Sequence, residues 1–258
     1  MTGRRPYVVL SCAVSLDGCL DGTGADRLVL SGAADLDRVD AERAAADAIL
    51  VGAGTIRRDD PRLFVRSAPR QAERTARGLP PQPAGVTITA SGDLYPEARF
   101  FRGPRDGADP AVLAVSPRRI VYAAGPVLPK LRDRVGSLAE LVDAGDPPRL
   151  PDILADLARR GVGRLMVEGG ASLGTQFLTG GLVDELQLVI APFFVGDPAA
   201  PRFAGPGHYP ASPAHPFHLA EARPVGEVVL LRYLADGGAT APGGSGGRSG
   251  PGEEAPRG

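Results

Sequence analysis

The chain alternates short apolar runs with amphipathic stretches for most of its length. Residues 7–14, YVVLSCAV, form a continuous apolar run of the length expected of a buried strand. Residues 15–24, SLDGCLDGTG, break it with three glycines and two Asp-Gly pairs, the composition of a loop. In residues 35–46, DLDRVDAERAAA, Leu36, Val39, Arg43 and Ala46 recur at helical spacing with a charged opposite face, which predicts an amphipathic helix. Residues 47–54, DAILVGAG, read as a strand and a glycine turn, and 85–92, GVTITASG, as another strand and turn. Residues 67–83 are basic, proline-rich and poor in bulky apolar groups, and predict an exposed excursion that holds at most a short helix. AVLAVS and RIVYAAG, within 111–125, read as two strands. A helix over 126–135, a strand near 138–143, a helix over 151–160, a strand over 164–168, a helix over 171–180 and a strand over 184–191 follow. FHLAEARPVGEVVLLRYL closes the pattern as two strands around the turn at 224–226.

Strands that alternate with helices imply an α/β fold, with a mostly parallel central sheet and helices on both faces. The closing pair implies a C-terminal antiparallel hairpin, with at least one antiparallel strand at an edge. From Ala235 onward no bulky apolar residue occurs, and 235–258, rich in Gly, Ser and Pro, predicts a disordered tail.

Composition narrows the function. The chain has 258 residues, 43% of them hydrophobic and 23% charged, enough to bury a sizeable core. A net charge of −1 gives no electrostatic reason to expect nucleic acid or an acidic membrane as partner. No apolar run reaches about 18 residues, so no membrane span is expected. Arg4 and Arg5 before the first apolar run imitate a signal peptide, but the run is short and SLDG stands where a cleavage site would lie, so a cytoplasmic location is expected. Cys12 and Cys19 are too few for a disulfide framework or a zinc site and are expected to be buried or half-buried thiols. His208, His215 and His218 lie late, with no His-x-Glu or Cys-x-x-Cys beside them, so no metal site is expected. Lys130 is the only lysine, which argues against Schiff-base and Walker-type chemistry.

In open α/β sheets ligands sit beyond the carboxyl ends of parallel strands. Three such ends here are unusual: AVSLDG (13–18), VGAGTIRRDDPRLFVR (51–66) and VEGGASLG (167–174). In the second, Gly52 and Gly54 allow close backbone approach and Thr55 offers a hydroxyl. Asp59-Asp60-Pro61 reads either as an Asx turn before proline or as a carboxylate aimed into the cleft. Arg57, Arg58, Arg62 and Arg66 around it suit a phosphorylated ligand. The third is neither a dinucleotide fingerprint nor a P-loop; it is a helix start able to bind an anion or a plain turn. Glu168 directly before it would repel phosphate, so it either ends a strand or faces a different ligand.

Together, SLDG, RAAADAILVGAGTIRRDDPRL and EGGASLGTQFLTGGLVDELQLVIAP resemble the pyrimidine reductase family of riboflavin biosynthesis, the reductase half of the bacterial bifunctional deaminase-reductase. The resemblance covers residues 6–234 as a single reductase domain with no deaminase half. It implies a dihydrofolate reductase-like fold, NADPH, a homodimer, and reduction of a ribosylaminopyrimidine phosphate from ribose to ribityl, with hydride delivered to C1′ of an imine. It also implies roles at matching positions. Ala13, Thr55, Asp59, Ser91, Gly169, Gly170, Ala171, Ser172 and Leu173 fall on the cofactor side, the last five around the pyrophosphate. Arg43, Leu63, Arg66 and Glu168 fall on the substrate side, Arg43 for the 5′-phosphate. Asp59 is the candidate catalytic carboxylate, stabilising a protonated imine. The expected division of labour sends Glu168 to the substrate and the glycine turn to the cofactor, since adjacent residues at a strand end point in different directions.

The sequence departs from the family in two places. The family's aromatic after SLDG is missing in 25–32, and Asp40 stands where His or Gln is common; Asp40 reads either as an ion-pair partner of Arg43 on a solvated helix face or as a cleft carboxylate that alters the charge where the substrate phosphate would bind. The alternatives are a reductase of dihydrofolate, another pterin or a secondary-metabolite pyrimidine, and a catalytically decayed nucleotide-binding protein. A carboxylate in the first helix facing the cleft would favour a pterin. Arg43 and Arg66 converging on one anion would favour a sugar phosphate.

Overall fold

The structure, a computed structural model, describes residues 5–24, 27–102 and 117–236. The strand expected at 111–116 and nearly all of the expected tail lie outside the described residues. Nine strands form one sheet: β1 (Tyr7–Val14), β2 (Ala48–Gly52), β3 (Ala84–Thr89), β4 (Arg119–Ala123), β5 (Glu140–Asp143), β6 (Arg164–Glu168), β7 (Glu185–Ile190), β8 (His218–Val225) and β9 (Val228–Leu234). Their spatial order is β5-β4-β3-β2-β6-β1-β7-β9-β8. All pairings are parallel except those of β9, which runs antiparallel to both β7 and β8. The expected mostly parallel α/β sheet with a C-terminal hairpin is therefore what forms. The antiparallel strand lies one place in from the edge rather than on it, because β8 takes the edge and the turn at Gly226 returns β9 between β8 and β7.

The helices are α1 (Ala33–Ala45), α2 (Ala53–Asp59), α3 (Ala68–Ala76), α4 (Leu128–Val135, entered through a 3₁₀ turn at Gly125–Val127), α5 (Leu150–Arg159) and α6 (Ala171–Thr179). Alternation along each strand feeds two cores. Leu50, Val8, Leu10 and Val167 pack with Ile153, Leu154 and Leu157 of α5 and Phe177 of α6. Ile49, Val51 and Met166 pack on the other face with Ile56 of α2 and Leu131 and Val135 of α4. Each fully buried Leu or Ile contributes roughly 1.5–3 kcal/mol relative to exposure.

One expectation fails, on the α1 face. Leu36 is exposed, whereas Asp35 and Asp40 of α1 are only 1% and 3% exposed. The helix meets a polar part of the sheet: Arg38 donates to Gln187 at 2.7 Å and Glu42 pairs with Arg164 at 3.2 Å. The stretch 67–83 is mostly exposed and holds the short helix α3, as expected, and adds two buried polar anchors, Arg74 and Gln82. Arg74 donates to the carbonyls of Ala44 and Ala46, both at 2.7 Å, which closes the C-terminal end of α1.

Sheet order places the crevice. The chain leaves β1 towards β2 over the α1 face and leaves β6 towards β7 over the α6 face. The carboxyl ends of these adjacent strands thus part in opposite directions, the switch point at which α/β sheets bind ligands.

Candidate active site

Two turns meet at this crevice. Gly169 and Gly170, with φ of 69° and 90°, take the chain from β6 into α6 through backbone that favours glycine. A Cβ on Gly170 would lie 2.9 Å from Thr55 Oγ1, and one on Gly169 would lie 3.6 Å from Thr55 Cγ2. A Cβ on Gly52, at the end of β2, would lie 3.9 Å from the Leu173 side chain. The glycines therefore let the β2–α2 and β6–α6 turns touch. Gly170 caps α6 with no side-chain hydrogen bond, so the first-turn N–H groups of Ala171, Ser172 and Leu173 have no side-chain partner. That is an anion-binding helix start.

Glu168, one residue earlier, is held from the opposite side. Arg43 donates to it twice, from Nε at 2.7 Å and from Nη2 at 2.6 Å. Arg43 Nη1 turns to the carbonyls of Phe64 at 3.2 Å and Arg62 at 3.4 Å. Burial disfavours the Arg43 cation, but the Glu168 carboxylate overrides that and holds its pKa above the ordinary value. The Arg43 guanidinium is thus engaged with both Glu168 and the 62–64 backbone.

Thr55 and Asp59 lie four residues apart on α2 and so share a face. Asp59 stands 3.8 Å from Arg27, a partner that sequence reasoning missed. Asp60 ends α2 in the left-handed region, with φ of 40° and ψ of 54°, and its carboxylate accepts the Arg99 N–H at 2.6 Å. The turn reading therefore describes Asp60.

Residues 62–67 cross between α2 and α3 without regular structure, and side chains satisfy their backbone. Gln82 accepts the Val65 N–H at 2.8 Å and donates to its carbonyl at 3.0 Å. Asp40 accepts the N–H groups of Arg66 at 2.5 Å and Ser67 at 3.1 Å, and Arg70 at 3.0 Å. Asp40 is thus a buried anchor of this loop; the reading of a solvated pair with Arg43 fails because Arg43 turns to Glu168. Leu63 has no exposed surface and packs in the α1-face core, which anchors the loop. The Arg66 side chain is 57% exposed and donates to the Leu36 carbonyl at 3.2 Å. Arg43 and Arg66 do not share an anion. The acids of α1 are all engaged, Asp35 by Ser31 and Arg38, Asp37 by Arg70, Asp40 by the loop and Glu42 by Arg164. Among the described residues, no carboxylate of α1 is left without a partner.

Ala13 lies half-buried near the end of β1, in register with Val189, and packs against the cluster of Val189, Ala191, Val225, Val228 and Leu230. Ser91 is exposed in the turn after β3, where Arg57 donates to the Asp93 carbonyl at 3.1 Å. The SLDG loop has an anchor with no local signal in the sequence: Asp17 accepts the Ser15 hydroxyl at 2.5 Å and the N–H groups of Gly196 at 2.8 Å and Val195 at 3.1 Å. Those three bonds hold its carboxyl well below the usual range.

Fold, switch point and glycine-lined helix start define an α/β protein with a ligand crevice that can take an anionic group. Residues 6–231 match the RibD C-terminal domain, and the chain belongs to that family. Among its relatives is the 2,5-diamino-6-ribosylamino-4(3H)-pyrimidinone 5′-phosphate reductase of Archaeoglobus fulgidus, 36% identical over 198 residues, or 76% of this chain and 85% of that protein. The protein of the same name from Methanothermobacter thermautotrophicus is 35% identical over 241 residues, 90% of this chain and 100% of that one. A pyrimidine reductase-like protein of Corynebacterium diphtheriae superposes with a TM-score of 0.70 at 25% identity, covering 89% of this chain and 92% of its own.

Proposed function

We propose that the chain reduces a ribosylaminopyrimidine 5′-phosphate with NADPH, converting the ribose to a ribityl chain in riboflavin biosynthesis. The observation that carries this reading is the contrast between neighbours: an acceptor fixed by Arg43 stands directly before an uncapped, glycine-lined helix start. The cradle suits a dinucleotide, because a Cβ at Gly170 would crowd Thr55 and the first turn of α6 offers three N–H groups to a pyrophosphate. NADPH bound there supplies the hydride. Glu168, with Arg43 filling one side of its carboxylate, keeps its remaining lone pairs for ribose hydroxyls or pyrimidine N–H groups. Asp59 stabilises positive charge on the substrate nitrogen, replacing its contact with Arg27. Ser91, in the turn that Arg57 of α2 reaches through the Asp93 carbonyl, is suited to the 2′-phosphate that separates NADPH from NADH. Arg66, exposed beside this loop, takes the substrate phosphate. The working unit is a homodimer in the cytoplasm, and no helix among the described residues is long and apolar enough to cross a membrane.

The test is NADPH oxidation by purified protein, with the ribosylaminopyrimidinone phosphate and dihydrofolate assayed side by side. Turnover of the first alone is expected. Turnover of dihydrofolate alone would replace this substrate with a pterin.

A further inference from the structure

Asp40 is a carboxylate 3% exposed on the middle of α1, yet none of its hydrogen bonds serves the helix that carries it. All of them go to the residues that enter α3: the N–H of Arg66, the N–H of Ser67 and the Arg70 guanidinium. Ser67 is the N-cap of α3, so the carboxylate also sits at the positive end of that helix. The Arg66 guanidinium lies over the same group, Nε 3.8 Å from Asp40 Oδ1, with Nη2 on the Leu36 carbonyl one turn earlier. Asp40 therefore fixes Arg66 at its backbone and steers it at its side chain.

Arg43, three residues further along α1, holds the carbonyls of Arg62 and Phe64 in the same loop while gripping Glu168. One helix thus clamps residues 62–67 with two side chains of opposite charge, one taking donors and the other acceptors. We propose that Asp40 is a positioning residue for substrate recognition: it aims Arg66 at the substrate phosphate and ties that arm to the Arg43–Glu168 pair. This rests on the reading of Arg66 as the phosphate contact.

The experiment compares the phosphorylated pyrimidine with its dephosphorylated nucleoside in the wild type, Asp40→Asn, Arg66→Met and the double variant. Asparagine keeps one acceptor for the Arg66 N–H but loses the charge that steers both arginines. Asp40→Asn is expected to raise KM for the phosphorylated compound about tenfold, with kcat and the KM of NADPH within about twofold. The KM of the nucleoside should stay unchanged, so that the preference for phosphate falls. Arg66→Met should lose the same preference, and the double variant should lose no more than Arg66→Met alone. If Asp40→Asn lowers the melting temperature while the phosphate preference stays at the wild-type ratio, Asp40 is only a structural anchor and the proposal is overturned. If Arg66→Met keeps the preference, the assignment of Arg66 itself is wrong and the proposal falls with it. The two failures are told apart by which single variant retains the ratio.

Discussion

At the scale of single residues, Glu168 and Gly170 separate the two ligands. Glu168→Gln keeps the shape of the pair but removes the charge that Arg43 grips. It should raise KM for the pyrimidine about tenfold and leave the NADPH Kd within about twofold, as read by steady-state kinetics and calorimetry. Weaker NADPH binding with an unchanged substrate KM would sink this division of labour. Gly170→Ala should do the reverse. Its φ of 90° and the 2.9 Å approach to Thr55 Oγ1 leave no room for a methyl group, so the turn must shift. A cost of about 1–3 kcal/mol is expected in urea unfolding, together with a weaker NADPH Kd. Much of this was legible in the sequence, since the acid and the paired glycines stand together at a strand end. The grip of Arg43 on Glu168 was not, because 125 residues separate the pair and no periodicity links them.

At the scale of elements, α1 and β3–β4 show where pattern reading stops. The α1 repeat was identified as a helix correctly, but its buried side was assigned to Leu36 instead of Asp35 and Asp40. Hydrophobic periodicity assumes an apolar surface opposite, and here the opposite surface holds Gln187, Arg164 and the open backbone of 66–67. The β3–β4 pair hides a second polar group. Arg119 is 5% exposed, its Nη1 and Nη2 have no hydrogen-bond partner among the described residues, and it lies 5.1 Å from the ring centres of both Phe64 and Phe100. Burial pushes its pKa down to about 10. Gly85 makes room for it, since a Cβ there would lie 2.3 Å from Nη1. Gly85→Ala should therefore destabilise the fold by about 2–3 kcal/mol, by driving the guanidinium off both rings. Arg119→Met should be neutral or stabilising, since an unpaired buried cation is replaced by an apolar chain, and it should relieve the Gly85→Ala defect in the double variant. Chemical denaturation of the four proteins tests this; an additive double variant would contradict it.

At the scale of the whole molecule, alternating strands and helices made the layered fold readable, and the three strand-end motifs marked the crevice. What could not be read was the sheet order, which inserts β6 between β2 and β1 and so brings Glu168 beside Ser11. The same order assembles a polar layer around Glu185, 1% exposed, which accepts from Tyr7 at 3.0 Å, Gln187 at 2.8 Å and Arg232 at 2.7 Å. Burial raises the Glu185 pKa, but the bonds from Arg232 and Gln187 and the charges of Arg232 and Arg164 outweigh it, leaving it below the ordinary 4.5. Its stabilisation is complete above that value and is lost as pH falls through the lower folded pKa. Burial and the adjacent Glu185 push Tyr7 from 10.0 up to about 12, so its contribution is present below pH 10 and lost as pH rises towards 12. Urea midpoints should fall on both flanks, and Tyr7→Phe should flatten the alkaline flank alone.

The most direct test of the central claim is where the hydride lands. The phosphorylated pyrimidine should be reduced with NADPH carrying deuterium at both C4 positions of the nicotinamide ring, and the product examined by NMR and mass spectrometry. Deuterium on C1′ of a ribityl chain is the predicted result. Label in the heterocycle, or consumption of NADPH with no label in the pyrimidine product, would contradict it.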